Sequence, residues 1–424
     1  MSKKEKKALV PWLRFPEFHP SVEWKVTTLN SLAVKIIDKN KDCSITRVLT
    51  NSATDGVVNQ SEYFERKIVT QSNIDNYFVI DKGDYVYNPR ISTSAPVGPI
   101  SKNKIGKGIM SPLYTVFRFN NPRNEFYEQY FKTNLWNSYL KIVSNTGARH
   151  DRISISTENF MKMPLPYSSY EEQQKIAECL SYLDDLITAE DKKLSALKMH
   201  KKGLMQRLFP TEGKTVPEWR FPEFRGCGEW EERKLSQVTS YVDYRGKTPK
   251  KSNLGIFLLT AKNIKMGYLD YRCSQEYIPE NTYNVVMSRG VPQVGDVLIT
   301  TEAPCGNVAQ IENENVALAQ RIIKYRGVEG KLDNTYLKYV LLSPKFQYNL
   351  SSKSTGGIVK GIKGSVLHEL PIDFTSLNEQ KQIADCLSSL DVCITAQVEN
   401  IEALKAHKKG LMQGLFPSIE EVGE

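Results

Sequence analysis

The sequence predicts an α+β protein built twice over: two globular lobes separated by two long antiparallel helices, a coiled-coil spacer, with the halves related by a pseudo-twofold axis. Three observations carry this. A 40-residue segment occurs as EEQQKIAECLSYLDDLITAEDKKLSALKMHKKGLMQRLFP (Glu171 to Pro210) and as NEQKQIADCLSSLDVCITAQVENIEALKAHKKGLMQGLFP (Asn378 to Pro417), with 25 of 40 positions identical at a constant offset of 207. A lead is repeated before each lobe, VPWLRFPEF from Val10 and VPEWRFPEF from Val216, each followed by a Trp and a Leu (Trp24, Leu29; Trp230, Leu235). Inside the long repeat, apolar residues recur in steps of four and three. A period above 200 residues marks a duplicated domain, not a solenoid.

The elements follow in chain order. Trp24–Ile37 and Trp230–Val242 mix apolar spacings, which predicts a short helix after an extended lead. Strands are expected where residues alternate or run apolar around a Gly-Asp turn, in 77–87 and 294–300, and again in 112–119 and 320–325. Aromatic-rich stretches 126–142 and 335–350 read as helices. The lobes between the repeats have diverged, apart from echoes such as Gly83-Asp84 with Gly295-Asp296, and Asn145-Thr146-Gly147 with Ser354-Thr355-Gly356. The repeated segments then form the long helices. One seam runs through Ile176, Leu180, Leu183, Ile187, Glu190, Leu194 and Leu197, the other through Ile383, Leu387, Leu390, Ile394, Gln397, Ile401, Leu404 and Lys408. This heptad spacing demands a partner surface. Either another protein supplies it or, more economically, the two copies pair, in a register that sets Glu190 against Lys408 and Lys201 against Gln397, and Leu194, Leu197 and Leu204 against Leu404, Ile401 and Ile394. Pro210 and Pro417 stop the helices. The resulting division is 1–168 first lobe, 169–209 first helix, 210–375 second lobe, 376–417 second helix and 418–424 tail.

With 424 residues the chain is too long for one ordinary core, and 40% hydrophobic with 25% charged residues describes a globular protein. The formal net charge of +9 favours polyanionic partners. No apolar run reaches the length of a membrane span, and no apolar core follows the basic start, so a cytoplasmic protein without membrane contact is expected. Seven cysteines without a C-x-x-C pair, and five scattered histidines, argue against zinc and disulfide frameworks and for buried reduced thiols.

Loops with nucleic-acid-binding composition supply candidate contacts: Arg90, Ser92, Thr93 and Ser94; Arg149 and Arg152; Arg245, Lys247, Thr248 and Lys250; Lys262 and Asn263; Gln320 and Arg321; and Lys360 and Lys363 in the glycine-rich 356–364 stretch. Arg and Lys suit guanine edges and phosphates, Asn and Gln suit adenine, and hydroxyls serve either. No Walker A, no G-x-G-x-x-G, no N/D-P-P-Y/F stretch, no metal-ligand spacing and no nucleophile elbow is present, so neither copy holds a catalytic site.

The repeats resemble the helical region of type I restriction–modification specificity subunits. The residues that carry this are Glu172-Gln173, Ile176-Ala177, Leu180, Asp184, Ile187 and Lys202-Gly203-Leu204-Met205-Gln206 with Leu208-Phe209, repeated as Glu379-Gln380, Ile383-Ala384, Leu387, Asp391, Ile394 and Lys409-Gly410-Leu411-Met412-Gln413 with Leu415-Phe416. The approaches to the helices, Pro164-Leu165-Pro166 and Leu370-Pro371, the RFPEF leads, Gly246-Lys247-Thr248-Pro249 and Leu259–Ile264 are also similar to that family, whereas the first lobe departs from the class of recognition domain seen in the second. The resemblance implies that the lobes are target-recognition domains. Each would read one half of a bipartite, asymmetric site in double-stranded DNA. Two methyltransferase subunits would dock along the helices and restriction subunits would join them, with S-adenosylmethionine, ATP and Mg2+ on those partners and no cofactor in this chain. A specificity subunit of a methylation-only system fits the same residues. A coiled-coil scaffold whose lobes bind proteins is the alternative of another class, and predicts no salt-dependent DNA affinity.

Overall fold

The Gly83-Asp84 and Gly295-Asp296 echoes mark the same place in one repeated topology. The computed structural model describes residues 9–21, 23–63, 74–146, 151–244, 246, 249–357 and 360–419. The chain falls into two units, Met1–Glu190 with Asn400–Glu424, and Asp191–Glu399.

In the first unit a four-stranded antiparallel sheet has the order Ala33–Lys35, Thr115–Phe119, Tyr85–Tyr87, Ile100–Lys102. A second sheet has the order Gly56–Asn59, Val48–Ser52, Gly108–Met110, Phe78–Ile80, with its central pair parallel. Lys25–Thr28 pairs antiparallel with Pro164–Tyr167 and so ties the start of the lobe to its exit. The second unit repeats this plan. Thr239–Asp243, Ile322–Gly327, Val297–Thr301 and Cys305–Gln310 form the antiparallel sheet. Tyr277–Ile278, Ile256–Leu259 and Val316–Leu318 form the other, again with one parallel pair. Glu231–Lys234 pairs with Pro371–Phe374.

The Gly-Asp turns owe their recurrence to an ion pair. Asp84 and Asp296 are fully buried. Asp84 accepts from Arg118 Nε at 2.5 Å and Nη2 at 2.9 Å and from the Asp81 amide at 2.7 Å. Asp296 accepts from Arg326 Nε at 2.6 Å and Nη2 at 2.8 Å and from the Gln293 amide at 2.9 Å. Burial alone would raise the Asp296 carboxyl, but the Arg326 hydrogen bond and the Gln293 amide carry it below the usual range. A buried carboxylate with several charge-assisted donors fixes the turn and the two strands that share it.

The long helices are Tyr170–Leu208 and Leu377–Leu415, 39 residues each and about 58 Å long at 1.5 Å per residue. Their first turns are clamped by the repeated leads. Glu172, 1% exposed, receives Arg14 Nε at 2.6 Å, Arg14 Nη2 at 2.8 Å and Trp24 Nε1 at 3.0 Å. Glu379 receives Arg220 Nε at 2.6 Å and Nη2 at 2.7 Å. The RFPEF and Glu-Gln motifs are therefore two halves of one buried contact in each copy. The Leu-Phe ends of the helices also fill cores. Phe209 packs on Tyr336, centroids 5.8 Å apart, in the second unit, and Phe416 packs on Phe126 and Tyr130 at 5.2 and 5.6 Å in the first.

Within the first unit the early half of the first long helix lies against the late half of the second, and within the second unit the late half of the first lies against the early half of the second, so the contacts are antiparallel. Ile176, Leu180, Leu183, Ile383, Leu387 and Ile401 are buried, and Ile187, Glu190, Leu194, Leu197, Leu390, Ile394 and Leu404 half-buried. The expected register needs correcting. Lys408 bonds Asp184, not Glu190, and Lys201 bonds Asp391, not Gln397. Asp184 also receives Gln129 Nε2 at 3.0 Å and Lys132 Nζ at 2.9 Å, and Asp391 receives Tyr339 Oη at 2.6 Å beside Lys338 at 3.6 Å. The acid with lobe donors around it holds the lysine, and that acid flanks the seam instead of lying in it.

Three further expectations give way. The stretches after Trp24 and Trp230 are strand, one helical turn and strand, because Leu29–Leu32 and Leu235–Val238 are too short to exceed a turn between paired segments. The aromatic-rich helices are each broken, into Glu125–Phe131 with Asn137–Val143 and Asn334–Leu342 with Pro344–Lys353. In the second, Pro344 forces Ser343 to extended backbone (ψ 149°), and the Ser343 hydroxyl caps the new helix at the Phe346 amide. The cysteines are not buried: Cys43, Cys227, Cys273 and Cys393 are exposed and Cys179, Cys305 and Cys386 half-buried, all unpaired thiols. Among the described residues no helix is long and apolar enough to cross a membrane.

Candidate nucleic-acid interface

In the first unit, strand Tyr85–Tyr87 runs out into Asn88-Pro89-Arg90. Asn88 Nδ2 donates to the Asn51 carbonyl at 2.9 Å, and Asn88 Oδ1 accepts from the Arg90 amide at 3.0 Å, which fixes the turn. Gly98 closes it from the other side. Its φ is +81°, and a Cβ there would stand 1.9 Å from the Asn88 carbonyl oxygen, so only glycine fits. The 151–153 segment then pairs with this strand end: Arg90 bridges Arg152, the Ile91 amide donates to the Asp151 carbonyl at 3.0 Å, and the Ile153 amide to the Pro89 carbonyl at 3.1 Å. Arg90 Nε lies 3.6 Å from Asp151 Oδ2. Ser92 and Ser94 share a hydroxyl contact at 3.2 Å, and Ser92, Thr93 and Ser94 are exposed. The structure thus brings Arg90, the three hydroxyl residues and Arg152 to one surface, although Arg90 and Arg152 are 62 positions apart in sequence.

In the second unit the matching strand Val297–Thr301 ends at Glu302. Glu302 bridges Gly361, and the Ile362 amide donates to the Thr301 carbonyl at 2.9 Å. The Arg321 carbonyl accepts from the Thr301 amide at 2.9 Å, and Arg321 Nε lies 2.6 Å from Glu302 Oε1. Arg321 sits at φ +75°, a left-handed conformation that a side-chain-bearing residue adopts only under constraint. A cavity of about 440 Å³ opens here, with Glu302, Gln320, Arg321, Thr355, Gly361 and Lys363 in its wall. Lys363, distant in sequence from the adjacent Gln320 and Arg321, is thereby gathered with them.

Not every candidate fares alike. Arg149, Arg245, Lys247 and Thr248 lie outside the described residues. Lys250, Lys262 and Lys360 are exposed but do not line the cavity. Asn263 needs correcting. It is fully buried, its Oδ1 accepts from the Thr260 amide at 2.9 Å and hydroxyl at 2.8 Å, and its Nδ2 donates to the Asp270 and Ser274 carbonyls at 2.9 and 2.8 Å. An amide with its donors and acceptor spent inside a loop stabilises that loop and reads no base. Glu302 and Thr355 escaped the sequence reading. An acid has no place in a search for basic loops, and only the pairing of 355 with 361 shows that Thr355 faces the same cavity. Among the described residues no cluster of His, Cys, Asp and Glu could hold a metal.

Comparison with known proteins agrees with this duplicated plan. The sequence pattern of the type I restriction modification DNA specificity domain matches twice, over residues 21–199 and 228–406. The type I restriction enzyme MjaVIII specificity subunit of Methanocaldococcus jannaschii is 28% identical over 325 residues, covering 73% of this chain and 74% of that one. The putative MjaX specificity subunit of the same organism is 25% identical over 422 residues, covering 93% of each. In fold, the chain is similar to the type I restriction–modification S subunit from M. genitalium (TM-score 0.59, 14% identity, 96% and 99% coverage). It is also similar to a chain from a structure on complex assembly and conformational transition of the type I R-M system (TM-score 0.54, 16% identity, 93% and 97% coverage). With both halves matched, the chain belongs to the type I restriction–modification DNA specificity family.

Proposed function

We propose that this chain is the sequence-reading subunit of a type I restriction–modification complex, recognising a bipartite, asymmetric double-stranded DNA target with one lobe per half-site and carrying no catalytic site itself. The observation that supports it most is the pair of family-matching lobes, alike in strand order yet different in the residues they present at the same strand end. Different polar groups on one frame suit two different half-sites. The other subunits bring the chemistry. Methyltransferase subunits, binding S-adenosylmethionine, would dock along the long helices, and restriction subunits using ATP and Mg2+ would join them. Exposed faces of those helices, with residues such as Lys192, Lys198 and Lys202, offer docking surface. The test is the adenine methylation pattern of the host genome with and without this gene. A motif of two short specified segments around an unspecified spacer, lost with the gene, is expected. A continuous or palindromic motif, or an unchanged pattern, would refute the reading.

A further inference from the structure

The two lobes exchange charges at one structural position. Arg90 and Glu302 are counterparts: each ends the strand after a Gly-Asp turn, and each bridges a residue of the loop that follows the lobe's broken helix (Arg152, Gly361). The amide one residue further along that loop, Ile153 or Ile362, donates to the carbonyl just before the strand-end residue, Pro89 or Thr301. In the first lobe the strand end supplies the arginine and the loop supplies the acid, Asp151. In the second the strand end supplies the acid, Glu302, and the turn before Ile322–Gly327 supplies the arginine, Arg321.

We infer that a carboxylate-braced arginine at this strand end, Arg90 with Asp151 in one lobe and Arg321 with Glu302 in the other, is the guanine-reading group of each lobe. The inference rests on the DNA-reading function proposed above. In both pairs the closest approach is at Nε, 3.6 and 2.6 Å. A guanidinium has five N–H donors and a carboxylate engages at most two in a fork, so a pair remains for guanine O6 and N7. At 2.6 Å the Glu302 carboxylate restricts rotamer freedom that DNA binding would otherwise have to freeze in Arg321, whereas Asp151 at 3.6 Å acts on Arg90 through charge alone. Both side chains are about half exposed or more, 63% and 49%, as a reader must be. The constrained backbone at Arg321 is a second sign, since such strain persists where surrounding structure holds it for a purpose. Because the arginine issues from different elements, the guanine it meets falls at different places in the two half-sites.

The test uses the full chain with its methyltransferase subunits and duplexes selected from a random pool. Guanines of the selected motif are replaced one at a time by 7-deazaguanine, which lacks the N7 acceptor. Wild-type protein should lose about tenfold in affinity at one guanine in each half, the scale of one bidentate contact. Arg321→Ala should abolish that sensitivity in one half only and Arg90→Ala in the other. Arg321→Lys should keep non-specific affinity but weaken discrimination, since a lysine can reach guanine but has no planar fork to share between Glu302 and the base. Unchanged deazaguanine profiles in the Ala variants would overturn the inference while leaving the DNA-reading function standing. So would uniform weakening with a flatter salt slope, the mark of phosphate contacts. So too would loss of selectivity for cytosine in Glu302→Gln with Arg321→Ala silent, which would make Glu302 the reader. A wild-type chain that selects no motif would overturn the function and this inference together.

Discussion

Replacing Asp184 by Asn should destabilise the first unit more than removing its lysine partner does. Asp184 stands among Lys408, Gln129 and Lys132. Burial pushes its carboxyl up, but the hydrogen bonds from Lys408, Gln129 and Lys132 outweigh that and hold it at about 2 against the usual 3.8. At about 1.4 kcal/mol per tenfold in proton affinity, the displacement is worth about 2.5 kcal/mol unscreened. The side chain is 38% exposed, so solvent cuts this to about 1 kcal/mol. The substitution has a second effect. Lys408, 9% exposed in its side chain, keeps a charge that burial already disfavours, and leaving it without its carboxylate adds about 2 kcal/mol. Asp184→Asn should therefore cost about 3 kcal/mol at pH 7, and Lys408→Met, which removes the buried charge and leaves Lys132 and Gln129 on the carboxylate, about 1 kcal/mol or less. Because the carboxyl titrates lower folded than unfolded, its contribution is complete above about pH 5 and vanishes as pH falls through about 2. Urea unfolding of wild type, both single variants and the double, at pH 7 and at pH 3, measures all of this. A Lys408→Met variant less stable than Asp184→Asn at pH 7, or an unchanged difference between wild type and Asp184→Asn as pH drops, would refute the reasoning.

Other substitutions test other parts of the structure. Gly98→Ala forces a Cβ onto the Asn88 carbonyl and should destabilise the first unit by at least about 2 kcal/mol and displace Arg90, read as lower melting temperature with weakened DNA binding. Glu379→Ala strands the buried Arg220 guanidinium and should lower stability by about 3–5 kcal/mol, with hydrogen exchange rising first at the start of the second long helix. Arg152→Ala should flatten the salt dependence of DNA affinity by roughly one unit, as a phosphate contact would, which titrations from low to high salt will show. Val392→Glu, on an exposed face of the second helix, should leave folding within about 0.5 kcal/mol of wild type yet weaken methyltransferase docking, seen by co-purification.

The repeat made the framework legible. Twenty-five identities at one offset, heptad spacing and terminal prolines are local patterns, and they point to the two long helices and the duplicated plan without any knowledge of the lobes. Register was harder, because a lysine stem several ångströms long lets a seam residue pair with an acid outside the seam. Matching polar seam positions missed Asp184 and Asp391, although both copies carry them, beside Lys132 and Lys338. Sheet order in the lobes depends on pairing between strands such as Val48–Ser52 and Gly108–Met110, which no short-range pattern encodes. At the candidate interface, composition found Arg90 and Arg321 but misjudged Asn263, since an Asn in a loop serves the backbone as readily as a base.

The division of the first unit has a consequence for how the protein is made. Residues 191–399 form the second unit from one continuous stretch, whereas the first takes residues from both ends of the chain, with Leu415 and Phe416 buried beside Phe126 and Tyr130. A ribosome adding about 10 residues per second needs roughly 20 s to travel from residue 190 to residue 415. For that interval the first lobe exists with an aromatic socket and no Phe416 to fill it. The second unit has all its parts as soon as Glu399 emerges. The first lobe is thus the half that a chaperone would hold longest, and a chain truncated before Leu411 would leave it open while its twin closed.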